Sequence, residues 1–384
     1  MIERPLSRRS RTPGKGRDQG LGTVGTGPDE KPAVANGHTV IPGPQPTDSR
    51  PRVRGWAERQ HVLDLDDFSS AEIERVFDTA DSMNEVLARP IPRLPTLRGK
   101  SVVNLFYEPS TRTRVSFEVA AKNLGADVVN VAAGGSSIEK GETLLDTART
   151  LRALGANVLV VRHSDSGAPH VIAQHTDVPV INAGDGTHAH PTQALLDAYT
   201  IRQHFGGLEG LRVLIVGDIA HSRVARSNAW CLSRLGAHVT FCGPPTLLPP
   251  TLLSPEGHRP WPVECDVRLD RAIEGVDVVM PLRVQLERQE GNRLASLREY
   301  ARDFAITRAR LERAAPRAIL MHPGPMNEGV EVDADVAHGD RSVIEEQVTN
   351  GVAIRMAVLY LLVSSVSAVE RSTSPVASLE ERLQ

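Results

Sequence analysis

Residues 101–125 read SVVNLFYEPSTRTRVSFEVAAKNLG, and this stretch decides the fold. Its first seven residues, mostly β-branched or apolar, predict a short buried strand. Ser110 then stands where a helix N-cap belongs, and 111–124 carries Val115, Val119 and Leu124 on a helical face before Gly125 stops it. Strand, tight turn and helix make one βα unit. The same alternation extends outward, with strands expected at 157–162, 178–183, 212–217, 238–242, 277–282 and 318–321. Helices are expected at 142–154, 191–205 and 223–235, before Gly155, Gly206 and Gly236. Short buried strands alternating with amphipathic helices predict an α/β fold of mostly parallel sheets flanked by helices.

With 384 residues the chain exceeds what one hydrophobic core usually serves, so two such domains are expected. We expect the first over 56–190 and the second over 191–344, with a last helix at 345–366 packing back on the first. Residues 1–55 are rich in Pro, Gly and Arg without apolar periodicity, and 367–384 begin where Arg371-Ser-Thr-Ser-Pro375 interrupts a helix. Both predict disordered tails, since neither buries enough surface to offset the entropy of ordering. Arg4, Arg8, Arg9, Arg11, Lys15 and Arg17 against Glu3 are compatible with a solvated extension, an upstream start, an organelle transit sequence or weak nucleic-acid contact. A net charge of −3 offers nucleic acid no broad cationic surface. Cys231, Cys242 and Cys265 lack the spacing of a zinc site or a disulfide framework, so a reducing cytoplasm is expected. The apolar stretch 356–369 reads as too short to span a bilayer, and no membrane segment is expected. No solenoid-length repeat occurs.

The turn Glu108-Pro-Ser-Thr-Arg-Thr-Arg114 carries the first chemistry. A helix N-terminus presents unpaired N–H groups and partial positive charge, and here hydroxyls and guanidinium groups crowd onto it. Ser110, Thr111, Arg112 and Thr113 therefore suit a phosphate.

Ser110-Thr-Arg-Thr-Arg114 resembles the carbamoyl-phosphate signature of the aspartate and ornithine carbamoyltransferase family. The stretches 136–142, Arg162-His163, 182–193 (NAGDGTHAHPTQ), Gly217-Asp218 with Arg223, Arg283-Val-Gln285 and His322-Pro-Gly-Pro325 resemble further family motifs in family order, over about 54–366. The resemblance implies two doubly wound domains joined by interdomain helices. It also implies transfer of the carbamoyl group of carbamoyl phosphate to the amine of an amino acid. The product with L-aspartate is N-carbamoyl-L-aspartate, in pyrimidine biosynthesis. It implies direct attack through a tetrahedral oxyanion, with no covalent intermediate, cofactor or metal. Ser110, Thr111, Arg112, Thr113, Arg162, His190, Gln193 and Ser136 would hold carbamoyl phosphate, with the carbonyls of Pro323 and Gly324. Arg112, Thr113, Arg162, His190 and Lys140 would act in catalysis.

The acceptor site carries over as Lys140, Arg223, Arg283 and Gln285, and separated cationic groups with fork geometry suit the two carboxylates of aspartate. Arg223 and Arg283 also follow predicted strands, at the ends where open α/β sheets bind ligands. Ornithine would need an acidic partner and a Cys in the turn where this chain has His322-Pro-Gly-Pro325. The family loop carrying Ser136 and Lys140 reaches a neighbouring subunit, implying a homotrimer with shared sites. Assembly with regulatory chains or dihydroorotase is compatible with this, as is a silent scaffold. Residues 217–223 lack the GxGxxG turn of a dinucleotide site. Two departures stand out: Val224 where many relatives have Thr, and Gly324 where others have Leu.

Overall fold

A computed structural model of the chain describes residues 55–132, 142–253, 260–285 and 296–373. The first half runs α1 (Ser70–Leu87), β1 (Ser101–Phe106), α2 (Thr111–Asn123), β2 (Asp127–Ala132), α3 (Leu144–Ala153), β3 (Val158–His163), α4 (Ala168–Ala173), β4 (Val180–Asp185) and α5 (Pro191–Phe205). The second half continues with β5 (Arg212–Val216), α6 (Arg223–Arg234), β6 (His238–Cys242), α7 (Pro250–Leu253), β7 (Glu264–Asp266), α8 (Leu269–Ala272) and β8 (Val278–Pro281). After these come α9 (Leu297–Phe304), α10 (Arg308–Leu311), β9 (Ile319–Leu320), α11 (Ala334–Ala337) and α12 (Ile344–Thr373).

The strands form two sheets, in the orders β2-β1-β3-β4 and β7-β6-β5-β8-β9, and every pairing is parallel. The parallel sheets are what the alternation predicts, and their doubly wound order is what the resemblance implies. In each sheet the chain winds outward from a central strand, first to one side and then to the other. Neighbouring loops part at the carboxyl ends of those central strands and leave a crevice. The switch falls between β1 and β3 in one sheet and between β5 and β8 in the other.

Gly125, Gly155, Gly206 and Gly236 end α2, α3, α5 and α6 with φ of 80°, 88°, 82° and 83°, a region that other residues enter only with strain. Helix α1 begins with a reciprocal cap in which the Glu72 N–H donates to Ser69 Oγ at 3.2 Å and the Ser69 N–H to Glu72 Oε2 at 2.9 Å. Its buried face, Ile73, Val76, Phe77 and Ala80, meets α12, which also lies on α2 and α5. The last helix thus returns to elements flanking the first sheet.

Two readings of that helix change. It runs to Thr373 rather than ending at 366, because extending a helix is far easier than starting one. Ile344–Ser365 is also, by length and composition alone, apolar enough to cross a membrane, longer than the sequence reading allowed. Within it 72% of the apolar window is buried inside the protein, with Ile354, Val358, Leu359 and Leu362 fully covered.

Candidate active site

The β1–α2 turn opens one wall of a cleft of about 1100 Å³. Ser110 caps α2, its Oγ accepting the Thr113 N–H at 3.4 Å, so the first turn of the helix faces the cleft with Thr111, Arg112 and Thr113. Arg162 closes the same wall from β3. It is buried, and its Nη1 donates to the Ala183 carbonyl at 3.1 Å while its Nη2 donates to Glu108 Oε1 at 2.5 Å.

His190 stands immediately before Pro191 at the start of α5, and its backbone N–H donates to Ser227 Oγ on α6 at 2.9 Å. Burial holds its pKa well below 6.5, and the positive charges of Arg162, Arg223 and Arg355 push the same way. The imidazole is neutral, with one N–H to donate. The loop that delivers it is held by Asp185, which is fully buried. Asp185 Oδ2 accepts the Gly167 N–H at 2.6 Å, and its Oδ1 accepts from Asn182 Nδ2 at 2.8 Å and the Ala189 N–H at 3.0 Å. His188 Nδ1 lies 3.1 Å from Oδ2, and His170 completes a trio whose nitrogen and oxygen atoms lie within 4.8 Å of one another. The Asp185 oxygens are thereby committed to the architecture of this loop.

The opposite wall comes from the second sheet. Arg223, the first residue of α6 after the Ser222 cap, is buried, with Nη2 donating to Glu108 Oε1 at 2.5 Å and Nη1 to Glu108 Oε2 at 3.0 Å. Arg283 and Gln285 follow β8 and line the cleft. The Gln285 N–H donates to Asp218 Oδ2 at 3.2 Å, and Asp218 Oδ1 lies 2.6 Å from His221 Nδ1. Gly217, with φ 132°, permits this stitching, because a Cβ there would sit 2.9 Å from the Leu282 carbonyl oxygen. The motif Gly217-Asp218 therefore positions the loop that carries Arg283 and Gln285.

The His322-Pro-Gly turn closes the cleft, with the Gly324 N–H donating to His322 Nδ1 at 2.8 Å. The Arg112 guanidinium lies against Gly324, its Nη1 only 1.6 Å from where a Cβ on residue 324 would be. The missing side chain at this position leaves space for that guanidinium.

Ser110, Thr111, Arg112, Thr113, Arg162, His190, Gln193, Arg223, Arg283, Gln285, Pro323 and Gly324 all line this one cleft. Ser136 and Lys140 lie outside the described residues. The sequence reading assigned no role to Glu108, although it falls within the quoted turn, nor to Gln347 and Arg355, which also line the cleft. A half-buried carboxylate between two guanidinium groups has no signature in spacing, because Glu108 and Arg223 are 115 positions apart.

Residues 60–203 match the aspartate/ornithine carbamoyltransferase carbamoyl-P binding domain, and residues 209–362 match the Asp/Orn binding domain of the same family. The chain belongs to the aspartate/ornithine carbamoyltransferase family. Within it, the chain is 61% identical over 305 residues to the aspartate carbamoyltransferase catalytic subunit of Roseiflexus sp. (strain RS-1), covering 79% of this chain and 95% of the relative. Aspartate transcarbamoylase from Trypanosoma cruzi in complex with carbamoyl phosphate and aspartate superposes with TM-score 0.72 at 32% identity, over 81% of this chain and 99% of that one. Ornithine carbamoyltransferase from Pyrococcus furiosus gives TM-score 0.71 at 30% identity, over 79% of this chain and 97% of that one.

Proposed function

We propose that the chain is the catalytic unit of an aspartate carbamoyltransferase. It moves the carbamoyl group of carbamoyl phosphate to the amine of L-aspartate, giving N-carbamoyl-L-aspartate and phosphate in pyrimidine biosynthesis. One observation carries this reading: Arg112 and Arg162 at the switch point of the first sheet share a cleft with Arg223, Arg283 and Gln285 at that of the second. One wall suits a phosphate dianion, and the other suits two carboxylates.

The chemistry follows from these charges. Ser110, Thr111, Arg112 and Thr113 bind the phosphate, and Arg162 bridges phosphate and the carbamoyl carbonyl. The neutral amine of aspartate attacks the carbonyl carbon, and its C=O electrons move onto oxygen. Neutral His190, Arg162 and Thr113 donate to that oxyanion. Such preorganised donors are worth on the order of 10²–10³ in rate each. Collapse expels phosphate, which accepts the amine proton, so no covalent enzyme intermediate is needed. Gln193 and the Pro323 and Gly324 carbonyls hold the carbamoyl nitrogen and the attacking amine.

The reading includes a homotrimer with shared sites, in which Ser136 and Lys140 of a neighbouring copy complete each cleft. Among the described residues no lysine lines the cleft, which leaves that part for Lys140. Cytoplasmic location belongs to the same reading, supported by three free cysteines, of which Cys231 and Cys242 are buried. Higher assembly with regulatory chains or dihydroorotase is compatible with it.

The test is a carbamoylation assay with aspartate and ornithine side by side. Product from aspartate alone is expected, whereas product from ornithine alone overturns the substrate assignment and none from either leaves a scaffold.

A further inference from the structure

Asp197 takes no part in the reaction above, yet it organises two groups that do. It lies on α5 one turn after Gln193 and is fully buried. Its Oδ1 accepts from Gln193 Nε2 at 2.9 Å and from Gln347 Nε2 at 2.8 Å, and its Oδ2 accepts from Asn228 Nδ2 at 2.9 Å. Three side-chain amides, from α5, α12 and α6, converge on one carboxylate.

An ionised carboxylate only accepts hydrogen bonds, so each amide must turn its NH₂ toward it. For Gln193 the consequence is chemical. With Nε2 committed to Asp197, the carbonyl Oε1 is the end left for the cleft that Gln193 lines. An acceptor there matches the NH₂ of a carbamoyl group and has nothing to bind in the methyl of an acetyl group. Gln347 extends the arrangement, because its Oε1 accepts the His322 N–H at 2.8 Å and so anchors the turn bearing Pro323 and Gly324.

We propose that Asp197 is a positioning residue that makes the cleft selective for carbamoyl phosphate over other acyl phosphates, by fixing the amide sense of Gln193 and anchoring the 322–324 turn. The proposal rests on the reading of Gln193 as a contact to the carbamoyl nitrogen. Asp197→Asn places an NH₂ against the other amides, and Gln193 can then turn Nε2 toward the cleft, donor against donor.

The experiment measures kcat/KM for carbamoyl phosphate, with competitive inhibition constants for acetyl phosphate and inorganic phosphate, in the full chain. In Asp197→Asn, kcat/KM for carbamoyl phosphate falls about tenfold or more, while both inhibition constants stay within about twofold. A purely structural role weakens all three ligands together, and that result overturns the proposal, as does no change in any of them. Gln193→Ala is the reference and loses the same selectivity. If Gln193→Ala keeps it, the reading of Gln193 falls and takes the proposal with it. If Gln193→Ala loses it and Asp197→Asn does not, only the assignment of Asp197 falls.

Where Asp197→Asn does not fold, the unsubstituted protein supplies the measurement. Burial pushes the Asp197 carboxyl up to about 6, opposed by the amides of Asn228, Gln347 and Gln193 and by the charge of Arg355, while Cys231 of α6 also faces it. Protonation turns Asp197 into a donor, so the preference for carbamoyl over acetyl phosphate declines as pH falls through that value. The two acyl phosphates titrate alike, and their own ionisation cancels from the ratio. A ratio that is flat from about pH 5 to about pH 8 overturns the proposal.

Discussion

Glu108, in the turn after β1, accepts hydrogen bonds from Arg223, the first residue of α6, at 2.5 Å and 3.0 Å, so one carboxylate ties the loops of the two sheets across the cleft. Arg162 donates to the same carboxylate at 2.5 Å. The two guanidinium groups are close neighbours, since a Cβ on Gly184 would lie 2.8 Å from Arg162 Nη1 and 3.0 Å from Arg223 Nε. Glu108 offsets one of these two positive charges and fixes the direction of each fork.

Glu108→Gln keeps the shape and removes the charge. Arg162 and Arg223 then repel with less compensation, and Arg223 loses its bidentate partner. The expected result is a fall of about tenfold to a hundredfold in kcat/KM for aspartate. Inorganic phosphate, whose site keeps Ser110, Thr111, Arg112 and Thr113 but shares Arg162 with Glu108, is expected to change its affinity by less than this, as titration calorimetry measures.

His190 gives a pH dependence whose sign is fixed by burial. The native imidazole refuses a proton that the unfolded chain accepts below 6.5, so its contribution to stability is complete above that value and is lost as pH falls beneath it. His190→Ala removes this loss. Thermal unfolding of the variant is expected to change less between about pH 7.5 and about pH 5.5 than that of the unsubstituted protein. The same variant lowers kcat by about 10²–10³, through the lost oxyanion donor.

Asp185 positions the 182–190 loop rather than touching substrate. Asp185→Asn puts an NH₂ where backbone N–H groups now donate, and is expected to cost about 1–3 kcal/mol of stability. Chemical denaturation measures it. The accompanying loss of activity appears in kcat, because His190 is displaced, with KM for aspartate nearly unchanged.

Helix α12 belongs to the core over α1, α2 and α5. Leu359→Ala, at a fully buried position, is expected to cost about 2–5 kcal/mol while leaving KM values unchanged. A surface-exposed Leu359 would cost far less.

What the sequence made legible tracks burial and local grammar. The strands read correctly, such as 101–107 and 238–242, are buried apolar runs, whereas β2 (DVVNVA) and β7 (ECD) are edge strands with few covered residues and give no such signal. Helix α1 carries a readable cap, Ser69 to Glu72, but no apolar strand before it to mark a βα unit. Among the residues that line the cleft, those inside short motifs were legible because the turn that carries them is itself contiguous. Glu108, Asp197, Gln347 and Arg355 act through partners up to 239 positions away, and such pairings exist only once the sheets are wound.

The central claim is that one cleft holds a phosphate on the Arg112 wall and a dicarboxylate on the Arg283 wall at the same time. N-(phosphonacetyl)-L-aspartate, which is bound in the Trypanosoma cruzi relative, joins both groups in one molecule and tests this by calorimetric titration. Arg112→Ala and Arg283→Ala are each expected to weaken it by about a hundredfold, while inorganic phosphate loses affinity in Arg112→Ala alone. If either variant binds the analogue as tightly as the unsubstituted protein, the two walls do not serve one ligand and the account is wrong.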